Sequence, residues 1–178
     1  MMAGCARSGR LVRWLIPRRP TFLGAGRERN NDRMIETQSV SPGYRLVEGP
    51  PAVADYMTLR LRSGLSPRRS DQAAAAVRGS WAAVHVLHDE SGGTVGMGRV
   101  LGDGGWYFHI VDIAVLPEHQ RHGVGDAILG ALLDAVRKHA PAGAYVNLLA
   151  DPPGRRLYQK HGFRDTAPAS VGMALTLD

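Results

Sequence analysis

The stretch "WYFHIVDIAVLPEHQRHGVGDAILGALLDAV", residues 106–136, constrains the fold more than any other part of the chain. Its first eleven residues are an almost unbroken run of β-formers, which predicts a strand. A polar loop follows with glycines at 123 and 125, and then an apolar pattern of helical period. In that helix Ile128, Leu129, Leu132, Leu133 and Val136 share one face, with Asp126, Asp134, Arg137 and Lys138 off it. A strand, a glycine loop and a helix in this order offer an anion the free N–H groups and positive dipole end of a helix N-terminus. Two common nucleotide answers fail. The dinucleotide fingerprint needs a third glycine where Ile128 stands, and the Gly-Lys-Ser/Thr of a phosphate-binding P-loop occurs nowhere. What remains is "QRHGVG", residues 120–125, whose glycines let a diphosphate approach the main chain; a plain strand-to-helix turn is the alternative.

The elements around this stretch indicate an α/β fold. "GYRLVEG" reads as a short strand, "PAVADYMTLRLRSG" as a helix stopped at Gly64, and "SPRRSDQAAAAVRGS" as an Ala-rich helix ending near Gly79. "WAAVHVLHDE", the turn "SGG" and "TVGMGRVL" form a hairpin that leads into the strand of residues 106–116. After the central helix, "AYVNLLA" is expected to be a buried strand, "PPGRRLYQKHG" a short helix and "VGMALTL" a closing strand. The predicted order is β-α-α-β-β-β-α-β-α-β, with a mixed sheet.

Charge divides the chain. Residues 1–33 carry eight arginines against Glu28 and Asp32, whereas residues 34–178 hold fourteen basic and fourteen acidic side chains. The formal net charge of +6 therefore lies wholly in the N-terminal arm, and no basic face for nucleic acid is expected on the neutral remainder. The arm is read as an extension, disordered or outside the native translation that would begin at Met34; a transit peptide is a third reading. Residues 34–178 are the expected functional domain. No run approaches the ~20 apolar residues of a membrane span. The single cysteine, Cys5, lies in the arm, so the domain has no thiol nucleophile, and a cytoplasmic location is expected.

"QRHGVG" together with "LYQKHGF", residues 157–163, resembles the two landmarks of the GNAT superfamily of acyl-CoA-dependent N-acyltransferases: a Q/R-x-x-G-x-G/A loop and a tyrosine on a short helix before a Gly-Phe turn. The fit runs from about Gly43 to the C-terminus. The resemblance implies a mixed, mostly antiparallel central sheet splayed in the middle and flanked by about four helices. It implies acetyl-CoA as co-substrate, with a pantetheine arm entering between the strands of residues 109–115 and 145–149. The main chain of Ile113, Ala114 and Val115 would contact that arm. Gln120, Arg121, His122, Gly123, Val124, Gly125 and Asp126 would wrap the diphosphate. Asp151 stands where the family often has asparagine, and is expected to cap the short helix. Tyr158 takes the position of the family's tyrosine, at the cofactor and as acid for the departing thiolate.

Acetyl transfer to an amine also needs a base, because an amine of lysine type is protonated at pH 7. His109 lies on the strand where many relatives carry a Glu or His for this work, and an imidazole of ordinary pKa near ~6.5 suits it. Strand alternation puts Tyr107, His109 and Val111 on one face and Ile110 and Asp112 on the other. Asp112 becomes the rival base if the strand is bulged. A satisfied sheet histidine is the alternative for His109, and a packing role for Tyr158.

Other chemistries find little support. A cysteine acyl-enzyme lacks its thiol, and no G-x-S-x-G elbow exists. His85 and His88 are three apart on a strand, and His119 and His122 lack a further ligand pattern, so no metal site is expected. The expected activity is direct acetyl transfer to a primary amine, most simply a small molecule, in a ternary complex. Acceptor groups are expected from residues 60–72 and from Gly105, Trp106 and Tyr107. A non-catalytic acyl-CoA-binding regulatory module and acetylation of protein N-termini or lysines stand as alternatives. Neither nucleic acid nor membrane is an expected partner, and a homodimer is left open.

Overall fold

Short alternating or continuous β-former runs, punctuated by glycine turns, build one sheet, and two kinds of helix cover it. The computed structural model describes residues 38–177. The strands are β1 (Gln38–Ser41), β2 (Tyr44–Glu48), β3 (Ala82–His88), β4 (Thr94–Gly102), β5 (Tyr107–Val115) and β6 (Tyr145–Leu148). The helices are α1 (Val53–Arg62), α2 (Ser70–Arg78), α3 (Val124–His139) and α4 (Arg155–Lys160). Strands lie in the order β1-β2-β3-β4-β5-β6. Every neighbouring pair is antiparallel except β5 and β6, which are parallel. A parallel pair cannot be joined by a tight turn, and α3 is the crossover that joins this one.

The apolar face read for α3 is the one it buries: Ile128, Leu129, Leu132, Leu133 and Val136 are all in the core. Each contributes roughly 1.5–3 kcal/mol on burial. Gly98 lets the helix pack directly against β4. A Cβ there would stand 2.6 Å from both Ile113 Cδ1 and Ile128 Cγ2, so no larger residue fits under α3. Phe108 of β5 faces the same layer, packing against Trp81. His109, its neighbour in the strand, therefore faces the opposite layer, where α1 and α2 lie.

Two expectations need correction. "VGMALTL" forms no strand; Val171, Met173, Leu175 and Leu177 are exposed, and among the described residues the sheet ends at β6. Alternation supplies a strand's two faces but not the neighbouring edge that a strand must pair with. For the same reason "AYVNLLA" is not a buried strand, since β6 is an edge strand whose flanking Tyr145 and Leu149 are exposed. The structure also adds β1, which precedes every strand expected from the sequence. The proposed arm of residues 1–33 lies outside the described residues. Among the described residues no helix is long and apolar enough to cross a membrane.

Candidate active site

The site begins where β5 stops being paired on both sides. Its pairing with β6 covers four positions, from Tyr107↔Tyr145 to Ile110↔Leu148. Beyond that β6 has ended, while β5 continues to Val115 with only β4 beside it among the described residues. The divergence coincides with a bulge. The β4–β5 register shifts between Met97 and Arg99, and Asp112 on β5 takes a left-handed backbone with φ of 57°. A bulge sharpens the local bend of a strand. Ile113, Ala114 and Val115 thus stand on a strand with one edge unpaired among the described residues.

The bulge carries Asp112 to the α1/α2 side. There its carboxylate accepts hydrogen bonds from the Tyr56 hydroxyl at 2.7 Å, from Arg99 Nε at 2.5 Å and from Arg60 Nη1. Burial alone would raise this carboxyl, but the Tyr56 hydroxyl and the Arg99 and Arg60 guanidiniums together hold it below its ordinary value. Arg60, expected among the acceptor-binding groups, is buried in this cluster. Both carboxylate oxygens are engaged.

His109 is differently placed. Its Nδ1 lies 2.5 Å from Asn147 Oδ1, across the β5–β6 pair. Asn147 in turn donates from Nδ2 to the Phe108 carbonyl at 3.1 Å. That second bond fixes the amide's orientation and makes Oδ1 an acceptor, so His109 Nδ1 must carry the proton. Nε2 is then a lone-pair acceptor with no partner among the described residues. Asn147 was not singled out from sequence. The available signal was one polar residue in the run "YVNLLA".

The loop after β5 is pinned before it enters α3. Leu116 N–H donates to the Val95 carbonyl at 2.9 Å, Gln120 Nε2 to the Val115 carbonyl at 3.1 Å and Ser41 Oγ to the His122 carbonyl at 3.0 Å. Arg121 and Gly123 both have positive φ, 64° and 80°, which turns the chain into α3 with Gly123 as N-cap. A Cβ on Gly123 would meet nothing within 4 Å, so the space before the first turn of Val124, Gly125 and Asp126 is open. Those first-turn N–H groups have no acceptor inside the helix. The Asp126 side chain points elsewhere, accepting from Lys160 Nζ at 2.8 Å and His161 Nε2 at 2.9 Å, which lower its pKa. Only its main chain is free to face a diphosphate.

His122 belongs to a group of rings around Tyr44, with His88, His119 and His122 centred 5.3, 5.7 and 5.8 Å from it. Burial, followed by the neighbouring His88, lowers the His119 pKa. Among the described residues no three His, Cys, Asp or Glu side chains are arranged to hold a metal ion.

Helix α4 sits beside the loop, since a Cβ on Gly125 would be 3.5 Å from Leu157 Cδ2. The Tyr158 ring fills the space that Gly154 leaves open and packs against Phe163 at 6.2 Å. Burial, then the nearby Asp151 charge, pushes the Tyr158 phenol above its ordinary value. Its hydroxyl has no hydrogen-bond partner among the described residues. Asp151 caps with its backbone alone: its carbonyl accepts from Gly154 N–H at 2.9 Å, and its side chain makes no capping bond. A cavity of about 700 Å³ includes Asn147 and Tyr158 in its wall but neither His109 nor the residue 120–126 loop. It lies along the outer side of β6.

A sheet opened beside a glycine loop, with a tyrosine helix next to it, is the architecture of a class of group-transfer enzymes, and comparison with known proteins agrees. Residues 80–165 match the acetyltransferase (GNAT) domain model. A protein of unknown function from meticillin-resistant Staphylococcus aureus, described as a probable acetyltransferase, is 34% identical in sequence with a TM-score of 0.71, over 75% of this chain and 99% of that one. Two more distant structures share the fold. Glucosamine-6-phosphate N-acetyltransferase from Arabidopsis thaliana is 16% identical with a TM-score of 0.57, over 76% and 99% of the two chains. The ribosomal-protein-S18-alanine N-acetyltransferase from Escherichia coli is 18% identical with a TM-score of 0.58, over 70% and 79%. No curated protein matches the sequence. The chain belongs to the GNAT acetyltransferase family.

Proposed function

We propose that residues 34–178 form an N-acetyltransferase that moves the acetyl group of acetyl-CoA directly to a primary amine, with both substrates bound together. The observation that carries this reading is the oriented imidazole. Asn147 holds the proton on His109 Nδ1 and leaves Nε2 free on the side of the sheet away from α3. In the proposed step the amine nitrogen bonds to the thioester carbonyl carbon, the C–S bond breaks, and the amine proton passes to His109 Nε2, directly or through water. The departing thiolate takes the Tyr158 proton, solvent reprotonates the phenol, and the His109 imidazolium returns its proton to solvent. Burial and Asp151 favour the neutral phenol, which is the form an acid needs.

The open edge of Ile113, Ala114 and Val115 suits the amide groups of a pantetheine arm, and the free first-turn N–H groups of α3 suit its diphosphate. Arg121 and His122 add donors next to that turn. Asp112, with both oxygens engaged by cations and a hydroxyl, is assigned to shaping the strand rather than to taking the proton. A small-molecule amine is the favoured acceptor, since residues 34–178 carry fourteen basic and fourteen acidic side chains and so no net charge to draw a polyionic partner. The two distant relatives act on a sugar phosphate and on a protein's alanine, so the acceptor must be found by assay.

Free-thiol release from acetyl-CoA over a panel of small amines and peptides tests the activity itself. No release with any acceptor, despite measured acetyl-CoA binding, would identify a regulatory binding module instead. Tyr158→Phe should retain acetyl-CoA affinity and lose turnover by about 10²–10⁴-fold. Near-normal turnover returns Tyr158 to a packing role. A chain starting at Met34 should keep the thermal stability and turnover of the full chain.

A further inference from the structure

Large apolar side chains left exposed are not scattered over the domain. Before residue 150 the described residues expose Leu61, Leu101, Trp106, Tyr107, Tyr145 and Leu149, and four of these six stand around one histidine. The strand register shows how. His109 lies between Leu101 of β4 and Asn147 of β6. Tyr107, two residues back on the same face of β5, stands beside Tyr145 of β6. The Tyr107 and Tyr145 ring centroids are 5.7 Å apart, and the Trp106 ring meets Tyr107 edge-on at 5.5 Å.

A trio that served only to pack would be covered, as the adjacent Phe108 is. Instead Trp106, Tyr107 and Tyr145 are 60%, 42% and 43% exposed. Contiguous exposed apolar surface of this kind marks a binding site more often than a scattered residue does. The loop that presents Trp106 is also fixed. Asp103 Oδ1 accepts from the N–H groups of Gly105, Trp106 and Tyr107 at 2.7, 3.1 and 3.2 Å. The Trp106 carbonyl accepts from Tyr145 N–H at 2.7 Å, which ties the loop to β6. Aromatic side chains turn about few bonds, and on a backbone held this way they lose little freedom when a ligand stacks on them.

We propose that Trp106, Tyr107 and Tyr145 form an aromatic platform that selects the acceptor, and that the acceptor is an arylalkylamine, an aromatic ring joined by a short chain to a primary amine. This deepens, and rests on, the reading of His109 as the group that takes the amine proton. Tyr107 and His109 are two residues apart on one strand face, a separation of about 6.6 Å. A ring stacked on the Tyr107–Tyr145 pair therefore needs a chain of roughly two or three carbons to bring its nitrogen to His109 Nε2. Leu101 supplies an apolar contact on the other side of the imidazole. A straight alkyl chain offers these rings no face to stack on.

Steady-state kinetics on the full chain test this, with kcat/KM expressed per neutral amine. Phenethylamine and tryptamine should exceed hexylamine by about tenfold, as two stacked ring contacts imply. Trp106→Ala and Tyr145→Ala should each raise the KM for phenethylamine by roughly five- to tenfold with little change in kcat. Tyr145→Phe keeps the ring and should keep the wild-type KM. Both positions are exposed, so thermal melts of the variants should stay near wild type. Hexylamine, putrescine or a peptide that outruns phenethylamine overturns the proposal, and so does a folded Tyr145→Ala enzyme with the aryl preference intact. Calorimetry of phenethylamine on the CoA-bound protein separates this from the transfer reading. Binding that weakens in Trp106→Ala, in a protein that acetylates no amine, upholds the platform and overturns acetyl transfer. Acetylation without aryl preference does the reverse, and the absence of both binding and turnover overturns both.

Discussion

From Phe108 to Ile110, β5 is paired on both sides, and the imidazole it carries, His109, ends in a nitrogen without a partner among the described residues. From Val111 to Val115 it is paired on one side only among the described residues, and the carboxylate it carries, Asp112, has both oxygens taken by Arg60, Arg99 and Tyr56. Backbone and side chain exchange roles along nine residues. Where the backbone is satisfied, the side chain is left for chemistry. Where the backbone edge is left for a ligand, the side chain is locked to hold the bend open.

The largest effect should come from the locked half. Asp112→Asn strands two largely buried guanidiniums, and urea unfolding should register a loss of about 3–5 kcal/mol. A variant of near-wild-type stability that is catalytically dead would reverse the assignment and make Asp112 the base. In the free half, His109→Ala should leave stability nearly unchanged and cost roughly 10²-fold in kcat/KM at neutral pH. The rise of kcat/KM with pH should flatten in this variant. An acceptor amine of low pKa is needed for that measurement, so that ionisation of the substrate does not mimic the bend. If the bend survives in His109→Ala, the imidazole is not the base.

Asn147→Ala should be milder, about tenfold or less, as expected for one lost hydrogen bond. It should keep the pH bend, because His109 itself remains in place and only its orienting partner is lost; a profile as flat as that of His109→Ala would contradict a positioning role. The smallest effect concerns acid. The depressed Asp112 carboxyl contributes stability that is complete above its unfolded pKa of about 3.9 and is lost as pH falls through its lower folded value. Thermal melts of the wild type should therefore drop below that pH, and Asp112→Asn should show a shallower drop. Equal slopes would remove Asp112 from the acid response.

What could be read without a structure was local. The buried face of α3 follows from a period of 3.6 residues, the loop from two glycines at a helix start, and the family from two short motifs. Position 109 was reachable by strand phase, and Asp112 was reachable only as a conditional, because one inserted residue reverses which face a strand residue takes. The partners that decide the chemistry were not legible. Asn147 is 38 residues from His109, and Arg60 and Tyr56 are 52 and 56 residues from Asp112. No periodicity links residues at such separations; only the packing of α1 on the sheet and the parallel register of β6 bring them together. The last segment makes the same point in reverse. Residues 171–177 have every local property of a strand, yet a strand exists only where a neighbouring edge accepts its hydrogen bonds, and that is settled by tertiary or quaternary contact.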